Sequence, residues 1–546
     1  MGYPLARASD AAVRYSHKRL LGGFLLIGAA ASLTWGSLPV VYAGNPVVIR
    51  IRTKPSAPIT KGFSGFNTPQ PRNGVEYYDP KFLAAVTPLK AGWVRYPAGT
   101  ASMDFDWTTG HTNTDWMNSL IGGSAPPVTG APASILSLSA LLTQAKGGVA
   151  FSDFATFAST LGASAIITFN SYTDNNPGSA TQMALTAQSY GLNMLEWELG
   201  NEGYVYPLIY PTAAAYAGSS NSYFNDIIAG APAATVGLFS AGWYPGTSPC
   251  QAPPAPPQPC FAGWDGGLSS YVPQYWNAAS NHIYPIVAMQ SAENTIMALN
   301  GVLAYGSTDY ITSYLVPLVG ANTLIYISEL NCCSLNRNSF LTYIYNGIFL
   351  AEYTARLSTV PNVKGVGVNS LYTDNADYHG LVQSVDDYES YLLAQVAANP
   401  SFSTNTATDP NTQFQFYTSA PGLAMAVANL AVNSGTQIWP TIVTGGATVP
   451  IAGFDGNRIP AVYAQTYIAA NGGHYLLITN KSSQPQTANI VLDGASLQST
   501  LTMTYVSSSS PVTANTAQAP TNVQIQTTTS SNPIQLGPYS VTTVMW

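Results

Sequence analysis

From about residue 60 to 375 the chain alternates between two patterns, and no other feature constrains its fold as much. Short apolar or β-branched runs end in polar residues. They are KGFSGFN (61–67), GWVRYPAG (92–99), SAIITFNSY (164–172), MLEWELGNE (194–202), TVGLFSAGW (235–243), NHIYPI (281–286), TLIYISELN (323–331) and VKGVGVNSLY (363–372). Longer Ala- and Leu-rich patterns separate most of them, such as PKFLAAVTPLKA (80–91), FSDFATFASTLG (151–162), SATQMALTAQSYG (179–191) and FLTYIYNGIFLAEYTARL (340–357). Strands separated by helices pair in parallel, and eight such units close a (β/α)8 barrel of the TIM type.

After about residue 410 the texture changes. QFQFYTSAPGLAMAVANLAV (413–432) reads as a last helix, followed by AVYAQTYIAA, HYLLITNK, TANIVLDG, TLTMTYVS, NVQIQTTT and SVTTVMW. No helix interrupts these runs, and Gly, Asn and Ser bound them, so they predict an antiparallel β-sandwich. PVVIRIRT (46–53) alternates in the same way and is expected to add a strand to it. The predicted organisation is a signal peptide over 1–43, a strand segment over 44–57, the barrel over 58–432 and the sandwich over 433–546.

Composition narrows the partners. At 46% hydrophobic the chain is not generally disordered, and 546 residues are too many for one ordinary core. Only 8% of residues are charged, the net charge is −7 and no basic patch suggests nucleic acid. Arg14, His17, Lys18 and Arg19 precede the apolar run LLGGFLLIGAAASLTW, and VYA ends at Ala43. That pattern predicts a cleaved export signal, a secreted or periplasmic protein and no membrane attachment after cleavage; an uncleaved anchor is the rival. Export permits disulfides. Cys250 and Cys260 bracket a Pro-rich loop that their pairing would staple, which leaves adjacent Cys332 and Cys333 as a vicinal disulfide or two thiols. There is no CxxC or HExxH, and no metal or cofactor is expected. GFSGF (62–66) lacks the spacing of a nucleophile elbow.

Active sites of such barrels lie at the C-terminal ends of the strands. There the fourth strand offers Asn201 and Glu202 and the seventh offers Glu329. The second offers Arg95, the third Asn170, the sixth His282 and Tyr284, and the eighth Asn369 and Tyr372. Two carboxylates at one mouth can cleave a glycosidic bond, one as proton donor and the other ionised; a separation of about 5–5.5 Å gives retention. Burial and the neighbouring carboxylate are expected to raise the pKa of the donor. Glu196 and Glu198 share parity along the fourth strand and point the same way. Arg95 is the expected partner of Glu198, a pair that would orient the site without reacting.

WELGNE (197–202 with its preceding residues) and YISELN (326–331) together resemble the clan of retaining (β/α)8-barrel glycosidases. With VRYPAGT (94–100), the small sandwich and the terminal GPYSVTTVMW, the chain looks most like glycoside hydrolase family 79, the heparanase and β-glucuronidase family. The resemblance implies Glu202 as acid/base, Glu329 as nucleophile, Asn201 on the sugar 2-hydroxyl and Tyr284 as a donor to the nucleophile, with His282 on the same wall. It implies a uronic-acid-containing carbohydrate substrate, with Tyr372, Tyr378, His379 and the Gly380 N–H as candidates for its carboxylate. Arg72 and Arg337 are further candidates, and Trp107, Tyr172, Tyr204 and Trp243 are candidate stacking rings. The leading expectation is a retaining exo-β-glycosidase, best a β-glucuronidase. The alternatives are a neutral-sugar glucosidase, xylosidase or arabinofuranosidase on the same machinery, a transglycosylase, or a non-catalytic sugar-binding protein.

Overall fold

The computed structural model describes residues 45–546 except 70–74, 76, 98, 104, 114–149, 206–208, 242–262, 287–290, 307, 334–338, 374–379, 385–414 and 453–456. The predicted signal peptide, Cys250, Cys260, Arg72, Arg337, Trp243, Tyr378 and His379 lie outside the described residues. No described helix is long and apolar enough to cross a membrane.

Eight parallel strands close a barrel in sequence order. They are β1 (Ser64–Asn67), β2 (Trp93–Tyr96), β3 (Ser164–Phe169), β4 (Met194–Leu199), β5 (Val236–Ser240), β6 (Ala278–Ile283), β7 (Leu324–Leu330) and β8 (Val363–Val368). Closure is made by Val366 of β8 beside Ser64 of β1. Each strand coincides with a predicted run, although β6 begins three residues earlier than the sequence suggested, at Ala278. The helices between strands include α1 (Pro80–Val86), α2 (Phe151–Leu161), α3 (Ser179–Ser189), α4 (Ala213–Gly230), α5 (Ala292–Tyr305) and α6 (Ile344–Leu357). Capping sets several of their starts. The Asp79 carboxylate accepts from the Lys81 and Phe82 amides, and Thr212 and Ser291 accept from the third residue beyond them.

The barrel interior is layered. Trp93, Ile166, Ala278 and Tyr326 make an apolar floor. Trp93 fills its centre because three neighbouring positions carry no side chain. A Cβ on Gly65 would lie 2.1 Å from the indole, and one on Gly367 would lie 2.2 Å from it. The indole N–H donates to the Phe63 carbonyl at 3.1 Å. Above the floor, inward positions turn polar: Glu196 and Ser280, then Arg95, Glu198 and Thr168, all buried.

The sandwich packs two sheets around Val47, Ile49, Ile51, Leu476, Ile478, Ile490, Met503 and Val544. One sheet contains β9 (Gly435–Trp439), β11 (Val462–Ala469), β12 (His474–Asn480), β14 (Leu501–Ser507), β15 (Gln526–Ser530) and β17 (Ser540–Met545). The other contains β10 (Thr441–Thr444), β13 (Gln486–Leu492), β16 (Ile534–Leu536) and the leading strand Val47–Ile51. That leading strand runs antiparallel to β10 but parallel to β13, so the sandwich is not purely antiparallel as expected. A strand that arrives from outside the local hairpins is free of their antiparallel rule. Helix α7 (Ala420–Val432) lies between barrel and sandwich; almost all its residues are buried, and Thr543 of β17 donates to its Val427 carbonyl at 2.7 Å.

Candidate active site

Every residue at the centre of the site is delivered by a strand end. Strand β4 stops at Leu199, and Gly200 turns the chain with φ +77°. A Cβ there would sit 2.3 Å from the Tyr172 ring, so only glycine fits. Glu202 itself has φ 53°, a left-handed backbone that costs a non-glycine residue on the order of 1–3 kcal/mol. Its carboxylate is held from two sides. Oε1 accepts from the Tyr204 hydroxyl at 2.9 Å and lies 2.8 Å from His282 Nδ1.

The facing carboxylate comes from β7. Glu329 Oε1 accepts from Arg95 Nη1 at 2.8 Å, and Oε2 accepts from the Tyr284 hydroxyl at 2.6 Å and Asn369 Nδ2 at 3.2 Å. His282 reaches it through an irregular register. Asn281 pairs with Ile327 but His282 pairs with Glu329, so Ser328 is skipped and the imidazole stands beside the carboxylate. His282 Nδ1 is 3.6 Å from Glu329 Oε2 and 2.8 Å from Glu202 Oε1. Those two carboxylate oxygens are therefore no farther apart than the sum of the two legs, about 6.4 Å. That bound accommodates the separation of about 5–5.5 Å at which the second carboxylate can act as nucleophile.

Arg95 ties the centre together. Its Nε donates to Glu198 Oε2 at 2.6 Å, its Nη1 to Glu329 and its Nη2 to Asn201 Oδ1 at 2.8 Å. The pairing with Glu198 matches the parity argument. The bond to Glu329 goes beyond it, and the guanidinium bridges the ends of β4 and β7. Asn201 is held by that bond, while its backbone carbonyl accepts from Tyr172. No described residue accepts from the Asn201 amide nitrogen, which stays available to a ligand.

The electrostatics reverse one expectation. Burial pushes the Glu202 pKa up, as predicted. The charge and hydrogen bond of His282, the Tyr204 hydroxyl and Arg95 together outweigh it and hold Glu202 below the usual carboxylate value. The strongly raised carboxyl is Glu196 instead, through burial and the neighbouring Glu198 charge, against relief from Ser280 and Arg95.

Several other predicted binding residues are engaged with protein partners. Asn170 is spent on its own loop: Nδ2 donates to the Phe105 carbonyl and Thr173 Oγ1, and Oδ1 accepts from the Tyr172 and Thr173 amides. Tyr372 is core. It packs on Phe82 and Phe416 with ring centroids 5.8 and 5.7 Å away, and its hydroxyl meets Ser384 Oγ at 2.9 Å. Gly380 is buried, two residues before the strand Val382–Ser384. Trp107 donates to Ser179 Oγ at 2.9 Å and packs edge-on against Phe151. Cys332 and Cys333 are both buried, and no disulfide joins them. Among the described residues no His, Cys, Asp and Glu grouping could hold a metal.

The sequence reading did not single out Asn67 and Thr168. Asn67 donates to Asn369 Oδ1 at 3.2 Å, and Thr168 donates to Glu198 Oε2 at 2.7 Å. Asn67 ends β1, so the strand-end rule applied to the other strands also finds it. Thr168 lies within a β-branched run and gives no signal of its own.

The fold and the site together define a (β/α)8-barrel protein with an appended β-sandwich and a facing glutamate pair at the barrel mouth. Neither a protein-family model nor a curated protein sequence matches the chain. Solved structures do match it in fold. An α-L-arabinofuranosidase from Thermotoga maritima, solved as an arabinose complex, superposes with a TM-score of 0.62 at 16% identity, over 92% of this chain and 99% of that one. A family 51 α-L-arabinofuranosidase from Bifidobacterium longum gives 0.61 at 14% identity, over 92% and 99%. A family 44 xyloglucanase from Paenibacillus polymyxa gives 0.54 at 12% identity, over 91% and 99%. At these identities the likeness is one of fold, and it extends through barrel and sandwich alike. The resemblance to family 79 rests on the sequence motifs alone.

Proposed function

We propose that the protein is a retaining glycosidase acting on neutral glycosides, with α-L-arabinofuranosides the first class to test. The observation that carries this reading is the pair Glu202 and Glu329, facing each other across His282. In the first step an oxygen of Glu329 attacks the anomeric carbon as the bond to the leaving oxygen breaks. The leaving oxygen takes the proton from Glu202. Because His282 and Tyr204 both engage Oε1, Oε2 is the oxygen that carries this proton into the cleft. In the second step Glu202 takes a proton from water, the water oxygen bonds the anomeric carbon and the ester electron pair returns to Glu329. The Asn201 amide donates to the sugar hydroxyl next to the anomeric centre, a bond that strengthens as charge develops.

The engagement of Arg95 favours a neutral sugar over a uronide. Among the described residues Arg95 is the one Lys or Arg at the C-terminal ends of the barrel strands. It is fully buried, with donors on Glu198, Glu329 and Asn201. A bound carboxylate would have to compete with those partners. The two arabinofuranosidases of like fold support the same choice. Parallel assays with nitrophenyl α-L-arabinofuranoside, β-glucoside, β-xyloside and β-glucuronide test it. Turnover of one neutral glycoside with retained configuration, lost in Glu329→Gln, is expected. A preference for the glucuronide would overturn the neutral-sugar assignment, and no turnover of any would overturn the enzyme reading.

A further inference from the structure

The barrel holds one more carboxylate beside Arg95 than a double displacement consumes. Glu198 is fully buried on β4, below the two glutamates of the mouth. Its Oε2 accepts from Arg95 Nε at 2.6 Å and from Thr168 Oγ1 at 2.7 Å. Arg95 is fully buried too, and its Nη1 lies on Glu329 at 2.8 Å. One guanidinium thus serves two carboxylates. Glu196, two residues earlier on the same face, does not compete for it, since its Oε1 instead accepts from Ser280 at 2.9 Å.

The two partners of Arg95 have different fates. When Glu329 forms an ester with the sugar it loses its negative charge. A buried guanidinium left without a counter-ion is strongly unfavourable. We propose that Glu198 is a positioning residue whose task is to stay ionised beside Arg95 through both steps, so that Glu329 can give up its charge to the glycosyl ester. The inference rests on the reading of Glu329 as nucleophile.

The two chemical steps then respond in opposite directions to loss of the Glu198 charge. With Glu198 neutral, Glu329 is the one carboxylate among the described residues that still bonds Arg95 directly. Forming the C–O bond to the anomeric carbon strands the cation, so glycosylation slows. Breaking that bond returns an electron pair to Glu329 and restores the ion pair, so deglycosylation does not slow. A residue that merely supports the fold would lower both rates together.

The experiment measures both steps in Glu198→Gln. The kcat/KM for an aryl glycoside of the sugar that the wild type turns over reports glycosylation. The reactivation rate of the enzyme trapped with the corresponding 2-deoxy-2-fluoroglycoside reports deglycosylation. The expected result is a fall of at least tenfold in kcat/KM with reactivation unchanged or faster. An undiminished kcat/KM, or equal falls in both rates, would overturn the proposal and leave the nucleophile assignment standing. Failure of the fluoroglycoside to label Glu329 in the wild type would overturn both. Glu198→Asp keeps the charge on a shorter arm and decides the matter even where the Gln variant does not fold. Its ratio of the two rates is expected to stay within threefold of wild type, and a ratio shifted as far as ten would assign the effect to shape and overturn the proposal.

Discussion

Two side chains, one at the mouth and one in the barrel interior, make distinct predictions. Tyr204 donates to Glu202 Oε1 and helps hold that carboxyl below its usual value. Removing the donor in Tyr204→Phe raises the Glu202 pKa. The acid must be protonated for the first step, so the alkaline limb of kcat/KM is expected to move to higher pH. The change should be visible with poor leaving groups and weak with dinitrophenyl glycosides, which need no proton. Unmoved limbs would remove Tyr204 from the proton path. Glu196 gives the opposite sign for stability. Its pKa in the folded protein lies well above its ordinary value of 4.5, raised by burial and then by the Glu198 charge. A folded carboxyl that keeps its proton while the unfolded one loses it favours folding least at high pH. The penalty grows from about pH 4.5 upward until the folded group itself ionises. Glu196→Gln removes that penalty, so its Tm relative to wild type is expected to rise between pH 4.5 and 7. A constant difference across that range would refute the shift. These roles were only partly legible in sequence. Parity placed Glu196 and Glu198 on one face and Arg95 opposite Glu198, but nothing in the spacing said that the same guanidinium would reach Glu329 or that Ser280 would serve Glu196.

Strand ends carry the chemistry, and the elements differ in how openly their sequence declares it. The run WELGNE shows its turn, because a Gly-Asn step after a β-branched or aromatic run is punctuation. The structure adds the reason that Gly200 cannot be replaced: its φ is +77° and Tyr172 occupies the space of a Cβ. Gly200→Ala is expected to lower Tm by several degrees, from a left-handed penalty of about 1–2 kcal/mol plus the clash. It should also lower kcat/KM, since Tyr172 is bonded to the Asn201 carbonyl and would have to move. Thermal denaturation beside kinetics checks both parts. Strand β6 was the opposite case. Its sequence, AASNHI, is small and polar, so only its last residues were read as a strand. Its irregular pairing with β7 places His282 beside Glu329, and register of that kind is set by neighbouring strands rather than by local pattern. Tyr372, after β8, is a related case. Tyr372 has the polarity of a binding residue and the packing of a core one.

At the scale of the whole molecule, alternating texture made both the barrel and the sandwich readable, while the contact between them was not. That contact includes a buried charge cluster assembled from distant segments. Glu352 of α6 accepts from Lys481 Nζ at 2.5 Å, from Arg356 Nη2 at 2.7 Å and from Thr479 Oγ1 at 2.7 Å. Lys481 and Thr479 belong to the end of β12 in the sandwich, and Arg356 stacks on Tyr463 of β11 at 4.5 Å. Sequence separation of well over a hundred residues hides such a cluster from any local reading. Burial alone would raise the Glu352 pKa, but Lys481 and Arg356 outweigh it and hold it below its ordinary value of 4.5. A carboxylate with a depressed folded pKa stabilises the fold above its unfolded pKa. That stability is lost as pH falls through the lower folded value. Lys481 is held below its ordinary value by burial against the pull of Glu352; it is protonated in both states under acid conditions and adds no slope there. The acid limb of the stability curve below about pH 4.5 therefore carries a Glu352 contribution, and Glu352→Gln is expected to flatten that limb in Tm measurements down to pH 3. Lys481→Met should cost about 3–5 kcal/mol at neutral pH, because it leaves a buried carboxylate with part of its compensation gone. The double variant Glu352→Gln/Lys481→Met is expected to recover much of that loss, since replacing a whole buried pair is far milder than breaking one. A double variant as unstable as the sum of the singles would show that the two domains are held by packing around α7, with the ion cluster a passenger.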